Sequence, residues 1–192
     1  MPESLRLFVA IELPGEVREA LGRLQHELQR RGLEKLRWVR PESIHLTLKF
    51  LGETPVEKMP VLQAALMDAV KRTGVHELAL GKLGTFGGSR PRVVWVDLTG
   101  DLDSVSDLQE RTEIALNPLG FDREATGWSP HVTLARVRQE SVREAGVIGP
   151  AIAAVSAPLG AIPVKEVLLM RSTLRPSGAV YERVAAFPLG GE

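Results

Sequence analysis

The chain contains no cysteine. That excludes a disulfide framework, thiolate-bound zinc, an iron–sulfur cluster and a cysteine nucleophile together. Aromatic side chains are scarce, with five Phe, three Trp and one Tyr in 192 residues. Neither sign of charge is in excess, because 24 basic side chains offset 24 acidic ones; without a global positive field, a polyanion has to be recognised locally. No apolar run approaches the roughly 18–20 residues that cross a membrane. The stretch Leu7–Ile11 near the start is short, follows Glu3 and leads to no small-residue cleavage site, so it does not read as a signal peptide. The expectation is a cytoplasmic protein with no membrane partner.

What is present is an ordinary globular composition, 44% apolar and 25% charged, enough to build a sizeable core. Leu5–Leu13 reads as a buried strand stopped by Pro14-Gly15. From Glu16 to Arg31, Val17, Leu21, Leu24 and Leu28 recur at helical spacing, and Gly32 ends the helix. Short strands follow at Leu36–Val39 and Ile44–Leu51, then a helix over Thr54–Arg72. Val75–Leu83 and Val93–Thr99 read as strands around a Gly-rich loop, Gly84–Arg92. A helix over Leu102–Leu116 precedes a strand at His131–Val137, a short helix at Glu140–Gly146, and strands at Ile152–Leu159, Val164–Thr173 and Val180–Phe187.

The two halves repeat a pattern. Each has an amphipathic helix, a proline-bearing corner and a strand opening on His-X-Thr-Leu, and the two histidines stand 86 residues apart. One repeat of that length predicts a duplicated lobe rather than a solenoid. The chain, residues 1–192, is therefore expected to be one two-lobed α+β domain: a pseudo-symmetric pair of mainly antiparallel sheets, helices outside and a cleft between.

The repeated segments are Ser43-Ile44-His45-Leu46-Thr47-Leu48-Lys49-Phe50 and Ser129-Pro130-His131-Val132-Thr133-Leu134-Ala135-Arg136. Side chains alternate along a strand, so His45 and Thr47 share one face, as do His131 and Thr133. Residues i and i+2 are about 6.5–7 Å apart, so an imidazole and a hydroxyl can reach one phosphoryl group. Two converging copies suit in-line displacement at phosphorus, with one imidazole accepting a proton from the incoming oxygen and the other donating to the leaving oxygen. Threonine hydroxyls can donate to the non-bridging oxygens. A zinc site is the weaker reading, because a third ligand is needed and neither motif carries Asp or Glu at a matching position. His26 and His76 read as surface residues.

These motifs, with Arg6–Ile11, Trp38-Val39, Pro91–Trp95, Ser172-Thr173-Leu174, Gly178 and Tyr181, resemble the two-histidine phosphoesterases, and within them the bacterial and archaeal RNA 2′,3′-cyclic phosphodiesterases also called 2′-5′ RNA ligases. The resemblance covers nearly the whole chain. It implies a metal-independent, cofactor-free enzyme that opens RNA 2′,3′-cyclic phosphate ends to 2′-phosphates, with reversible 2′-5′ joining. It assigns His45 as the acid on the 3′ oxygen and His131 as the base on water, with Thr47 and Thr133 on phosphate oxygens. Arg136 is similar to a family arginine that binds the phosphate, although strict alternation would turn it to the apolar face unless the strand bends there. Phe50 matches a family position near the nucleobase, while alternation places it with Leu46 and Leu48 in the core.

Softer candidates for RNA contact are Lys49, Arg90 and Arg92, then Arg40 and Arg138; Trp38, Trp95 and Trp128 are candidates for base stacking, with packing the better reading. No phosphate-binding Gly motif is present, so no nucleotide cofactor is expected. The expected partner is an RNA end bearing a 2′,3′-cyclic phosphate or 2′-phosphate, and the expected state is a monomer. Alternatives are a phosphodiesterase acting on another cyclic or 2′-5′ nucleotide, such as ADP-ribose 1″,2″-cyclic phosphate or an oligoadenylate, and a module that binds RNA ends without turnover.

Overall fold

A computed structural model describes residues 3–124, 127–137, 142–158, 160–175 and 178–190. The first strand, β1 (Ser4–Glu12), is buried continuously from Leu7 to Ile11, as a strand covered on both faces must be. Helix α1 (Gly15–Leu28) follows and buries its stripe of Val17, Leu21, Leu24 and Leu28. The chain leaves the last helical turns through Gly32 at a positive φ of 94°. A two-residue strand, β2 (Arg37–Trp38), and a single 3₁₀ turn over Pro41–Ser43 lead into β3 (His45–Pro55).

Helix α2 (Met59–Val70) starts later than the sequence pattern suggests. Strand β3 runs on to Pro55, and Pro60 sits in the first helical turn, where its missing N–H costs nothing. Strands β4 (His76–Phe86) and β5 (Val93–Gly100) form a hairpin, helix α3 (Leu102–Leu116) is capped by the Asp101 carboxylate on the Ser104 N–H, and β6 (His131–Arg136) follows. Helix α4 spans Val142–Ala153. Among the described residues of the strand expected over 152–159, no strand forms: the helix takes up 152 and 153, and the next strand is β7 (Ala161–Val164). Ile148 and Ala151 are buried three residues apart on α4, so an apolar face turned to the core holds the helix although Gly146, Gly149 and Pro150 are poor helix formers. The expected helix start at Glu140 lies outside the described residues. Strands β8 (Glu166–Arg175) and β9 (Gly178–Pro188) form the final hairpin.

Among the described residues, eight of the strands run in the order β7-β4-β5-β6-β3-β1-β8-β9, with β2 beside β6, and every pairing is antiparallel. The sheet divides into two four-stranded lobes, β3-β1-β8-β9 and β6-β5-β4-β7, joined where Leu46 of β3 pairs with Val132 of β6. The order β1-α1-β3-α2-β4 recurs as β5-α3-β6-α4-β8, with β7 added. In each series the final strand crosses over, β4 pairing with β5 and β8 with β1. The expected α+β architecture of two mainly antiparallel lobes with helices outside is the observed one.

The register contains two matching irregularities. Val9 stands opposite Lys49 and Ala10 opposite Thr47, leaving Leu48 as an extra residue; Val94 stands opposite Ala135 and Trp95 opposite Thr133, leaving Leu134 as an extra residue. Each is a β-bulge three residues after a motif histidine, and a bulge resets the alternation of faces. Leu48 and Lys49 both enter the core, as do Leu134 and Ala135. Phe50 and Arg136, next in each strand, are therefore exposed.

Candidate active site

Each motif histidine is the first residue of its strand, His45 after the 3₁₀ turn that begins at Pro41 and His131 directly after Pro130 in irregular backbone. The antiparallel pairing of Leu46 with Val132 fixes what surrounds it. One step either way sets His45 across from Thr133 and Thr47 across from His131, and residues opposite each other share a face. Leu46, Leu48, Val132 and Leu134 are buried, and the two histidines and two threonines, each half-buried, occupy the other side.

Both imidazoles are held alike. His45 Nδ1 lies 2.8 Å from the Ser43 carbonyl and His131 Nδ1 lies 2.7 Å from the Ser129 carbonyl. A carbonyl can only accept, so each Nδ1 carries the hydrogen and donates it, which leaves Nε2 to exchange protons with a ligand. The rings are also walled by aromatics. Phe8 is 4.8 Å and Tyr181 is 5.1 Å from the His45 ring, centroid to centroid; Phe86 is 4.8 Å and Trp95 is 6.4 Å from His131. Gly84 makes room for the second wall, since a Cβ there would lie 2.2 Å from the Trp95 ring. Burial pushes the His45 pKa below the ordinary imidazole value, and the Ser43 hydrogen bond opposes this less strongly. A cavity of about 300 Å³ opens beside His45, lined among others by Glu12, Arg40, Tyr181 and Arg183.

Phe50 is 61% exposed and 6.2 Å from Phe8, the ring that packs on His45. It belongs to the motif face, not to the core with Leu46 and Leu48, because the bulge intervenes. Arg136 reaches the open side by the same device. Lys49 does not face RNA: it is 1% exposed, 2.6 Å from Glu113 Oε2, and donates to the Asp122 carbonyl at 2.7 Å. That expectation is corrected, and the cause is again the bulge, which turns Lys49 inward where only a paired charge is tolerated.

Arg90 and Arg92 are exposed on the β4–β5 turn, which closes with the Arg92 N–H on the Phe86 carbonyl at 2.7 Å. Arg138 lies outside the described residues. Trp38 and Trp128 spend their indole N–H groups on the Leu33 and Thr47 carbonyls, which suits packing, whereas Trp95 stands beside His131. His26 is exposed as expected, but His76 is buried, with Nδ1 on the Gly74 carbonyl. Phe8, Tyr181 and Phe86 were not among the expected site residues. Their signal was scarcity, since three of the chain's few aromatic rings pack on the motif histidines.

Among the described residues, no group of three or more His, Asp or Glu stands where it could hold a metal ion, and no helix is long and apolar enough to cross a membrane. Residues 11–95 match the family described as LigT like Phosphoesterase. An RNA 2′,3′-cyclic phosphodiesterase of Methanothermobacter thermautotrophicus is 30% identical over 189 residues, covering 97% of this chain and 100% of the relative. A protein of the same name from Geobacillus stearothermophilus is 32% identical over 96% of this chain, which spans 57% of that longer relative. Among solved structures, Escherichia coli LigT complexed with 3′-AMP superimposes with a TM-score of 0.77 at 27% identity, covering 97% of this chain and 99% of that one. A Thermus thermophilus protein gives 0.76 at 29% identity, covering 98% and 100%.

Proposed function

The chain belongs to the LigT-like phosphoesterases, and from that premise we propose that it hydrolyses RNA 2′,3′-cyclic phosphate ends to 2′-phosphate ends, with 2′-5′ joining of RNA ends as the related reversible reaction. The observation that carries the reading is the Leu46–Val132 bridge, which gives two His-X-Thr motifs one common face. Proteins named for this activity match the chain at about 30% identity over nearly its whole length.

In this reading water attacks the phosphorus opposite the 3′ oxygen. His131 Nε2 takes the proton from water as the new P–O bond forms, the P–O3′ bond breaks, and His45 Nε2 gives a proton to the 3′ oxygen. The product is a 2′-phosphate, and the two imidazoles end with exchanged protonation, which solvent resets. Each Nδ1–H on a backbone carbonyl keeps the ring oriented through the exchange. Burial disfavours the protonated form of His45 in the free protein, so the anionic phosphodiester supplies the charge that keeps a proton on this ring when substrate is bound. Thr47 and Thr133 donate to the non-bridging oxygens, and Arg136 adds a fixed positive charge for the charge that develops there. Phe50 offers a ring to the terminal base, and Arg90 and Arg92 offer charge to flanking phosphates. We read the protein as a cytoplasmic monomer that needs no metal or cofactor.

The test is incubation of purified protein, in EDTA, with an oligoribonucleotide ending in 2′,3′-cyclic phosphate, and identification of the product isomer. A 2′-phosphate product is expected. Turnover only on another cyclic or 2′-5′ nucleotide would move the assignment to that substrate, binding without turnover would leave a module for RNA ends, and a reaction that requires added metal would overturn the mechanism.

A further inference from the structure

We propose that Gln25 and Gln109 are positioning residues, each reaching from the helix of one half to the bulge of the other and thereby setting Arg136 and Phe50 in the cleft. The inference rests on the phosphodiesterase reading of that cleft. Gln25 is 3% exposed and Gln109 is 6% exposed, and a buried amide is retained only where its hydrogen bonds are met. Gln25 lies on α1, between β1 and β3, yet its Nε2 donates across to the other lobe, to the Leu134 carbonyl at 3.1 Å, and also to the Val39 carbonyl at 2.7 Å. Leu134 is the extra residue of the β6 bulge. Its carbonyl also accepts the Val39 N–H at 2.9 Å, so Gln25 ties the residue after β2 to the bulge of β6.

Gln109 repeats this with the halves exchanged. It lies on α3, between β5 and β6, and its Nε2 donates to the Leu48 carbonyl of β3 at 3.4 Å and to Glu113 Oε1 at 3.1 Å. Leu48 is the extra residue of the β3 bulge. Glu113 in turn holds Lys49, the neighbour of Leu48, through Oε2 at 2.6 Å.

A bulge makes two consecutive residues face the core and frees a backbone carbonyl from the regular ladder. Without Gln25 the Leu134 carbonyl keeps only the Val39 N–H and the Val39 carbonyl loses its side-chain donor; without Gln109 the Leu48 carbonyl loses its side-chain donor. Each bulged register is then held less firmly, and the strand gains by slipping back toward strict alternation. Slippage would turn Arg136 and Phe50 toward the core, away from the histidines. The glutamines therefore act on the ligand through two different residues, Gln25 through the phosphate-facing Arg136 and Gln109 through the base-facing Phe50.

The experiment compares wild type, Gln25→Met, Arg136→Ala and the double variant, with Gln109→Met as the cross-control. Methionine keeps the side-chain length and removes the donors. Gln25→Met is expected to raise KM for the cyclic-phosphate oligonucleotide, and to weaken competitive inhibition by inorganic phosphate, by roughly tenfold or more with a smaller change in kcat. It should add nothing further in the Arg136→Ala background. Gln109→Met should raise KM while leaving inhibition by phosphate unchanged. Additive effects of Gln25→Met and Arg136→Ala, or equal loss of phosphate inhibition in both glutamine variants, would overturn the inference. If Gln25→Met does not fold, Gln25→Leu, which also removes the donors and adds no charge, takes its place, and failure of both assigns Gln25 to stability alone and overturns the proposal. If wild type shows no turnover, the phosphodiesterase reading fails separately, and calorimetric titration of inorganic phosphate into the same proteins decides the role of Gln25.

Discussion

Leu46 and Val132 pair across the junction of the two lobes, and this one backbone contact sets the chemistry on its opposite face. Each residue is the middle of a His-X-Thr triplet, so pairing the middles antiparallel places each histidine across from the other motif's threonine. The resulting site is nearly two-fold symmetric, yet its substrate is not. The four aromatic walls, Phe8 and Tyr181 around one ring and Phe86 and Trp95 around the other, and the difference between Phe50 and Arg136 supply the asymmetry.

The proton roles can be separated by the leaving group. His45→Ala and His131→Ala should each lower kcat by about 10²–10⁴-fold, the usual range for loss of a general acid or base. A substrate with sulfur in place of the bridging 3′ oxygen departs without a proton, so it should restore turnover to His45→Ala and not to His131→Ala. Rescue of His131→Ala instead would reverse the two roles.

Phe50 is a proposed base-contacting residue whose removal should spare the fold. Its ring is mostly in solvent, so Phe50→Ala is expected to leave the melting temperature unchanged while costing about 1–3 kcal/mol of substrate binding, the range for one base stacked on an aromatic ring. The check is KM on a terminal nucleotide with its base and on an abasic analogue. The variant should lose affinity only for the first.

Lys49 behaves in the opposite way. Replacing it with methionine leaves the Glu113 carboxylate buried at 4% side-chain exposure without its counter-ion, a change that costs about 3–5 kcal/mol in comparable buried pairs. Denaturant unfolding of Lys49→Met should show that loss, and adding Glu113→Leu should recover part of it. Equal stability of the single and double variants would mean that the charge pair is not the cause.

Much of this arrangement was legible in sequence. Alternation placed His45 with Thr47 and His131 with Thr133, and helical spacing located α1 and α3 within a few residues. The failures share a cause. Alternation is a local rule, whereas the bulges at Leu48 and Leu134 exist only in register with β1 and β5. The rule therefore held up to Thr47 and inverted Lys49 and Phe50 just beyond it. Arg136 showed the conflict in advance, since its family role and its parity disagreed. His76 reads as a surface residue from sequence because nothing local marks it as buried, whereas β7 covers the edge of β4 and brings Val164 opposite it. Gln25 carried no readable signal either, as its acceptor Leu134 lies 109 residues away.

The pKa of His45 should respond to its walls. Burial holds it below the ordinary value of 6.5, so at neutral pH the free protein keeps this ring uncharged. Tyr181→Ala removes one aromatic wall and admits water, which stabilises the imidazolium, so the midpoint of the His45 Hε1 titration followed by NMR should move up toward 6.5. The same burial links to stability with a definite sign. Below 6.5 the unfolded chain binds a proton on His45 before the folded state does, so this residue makes folding less favourable as the pH falls through that range. In Tyr181→Ala that component of the acid sensitivity should shrink. A titration midpoint unchanged by Tyr181→Ala would show that the ring's confinement by Phe8 and the backbone, rather than by Tyr181, sets its proton affinity.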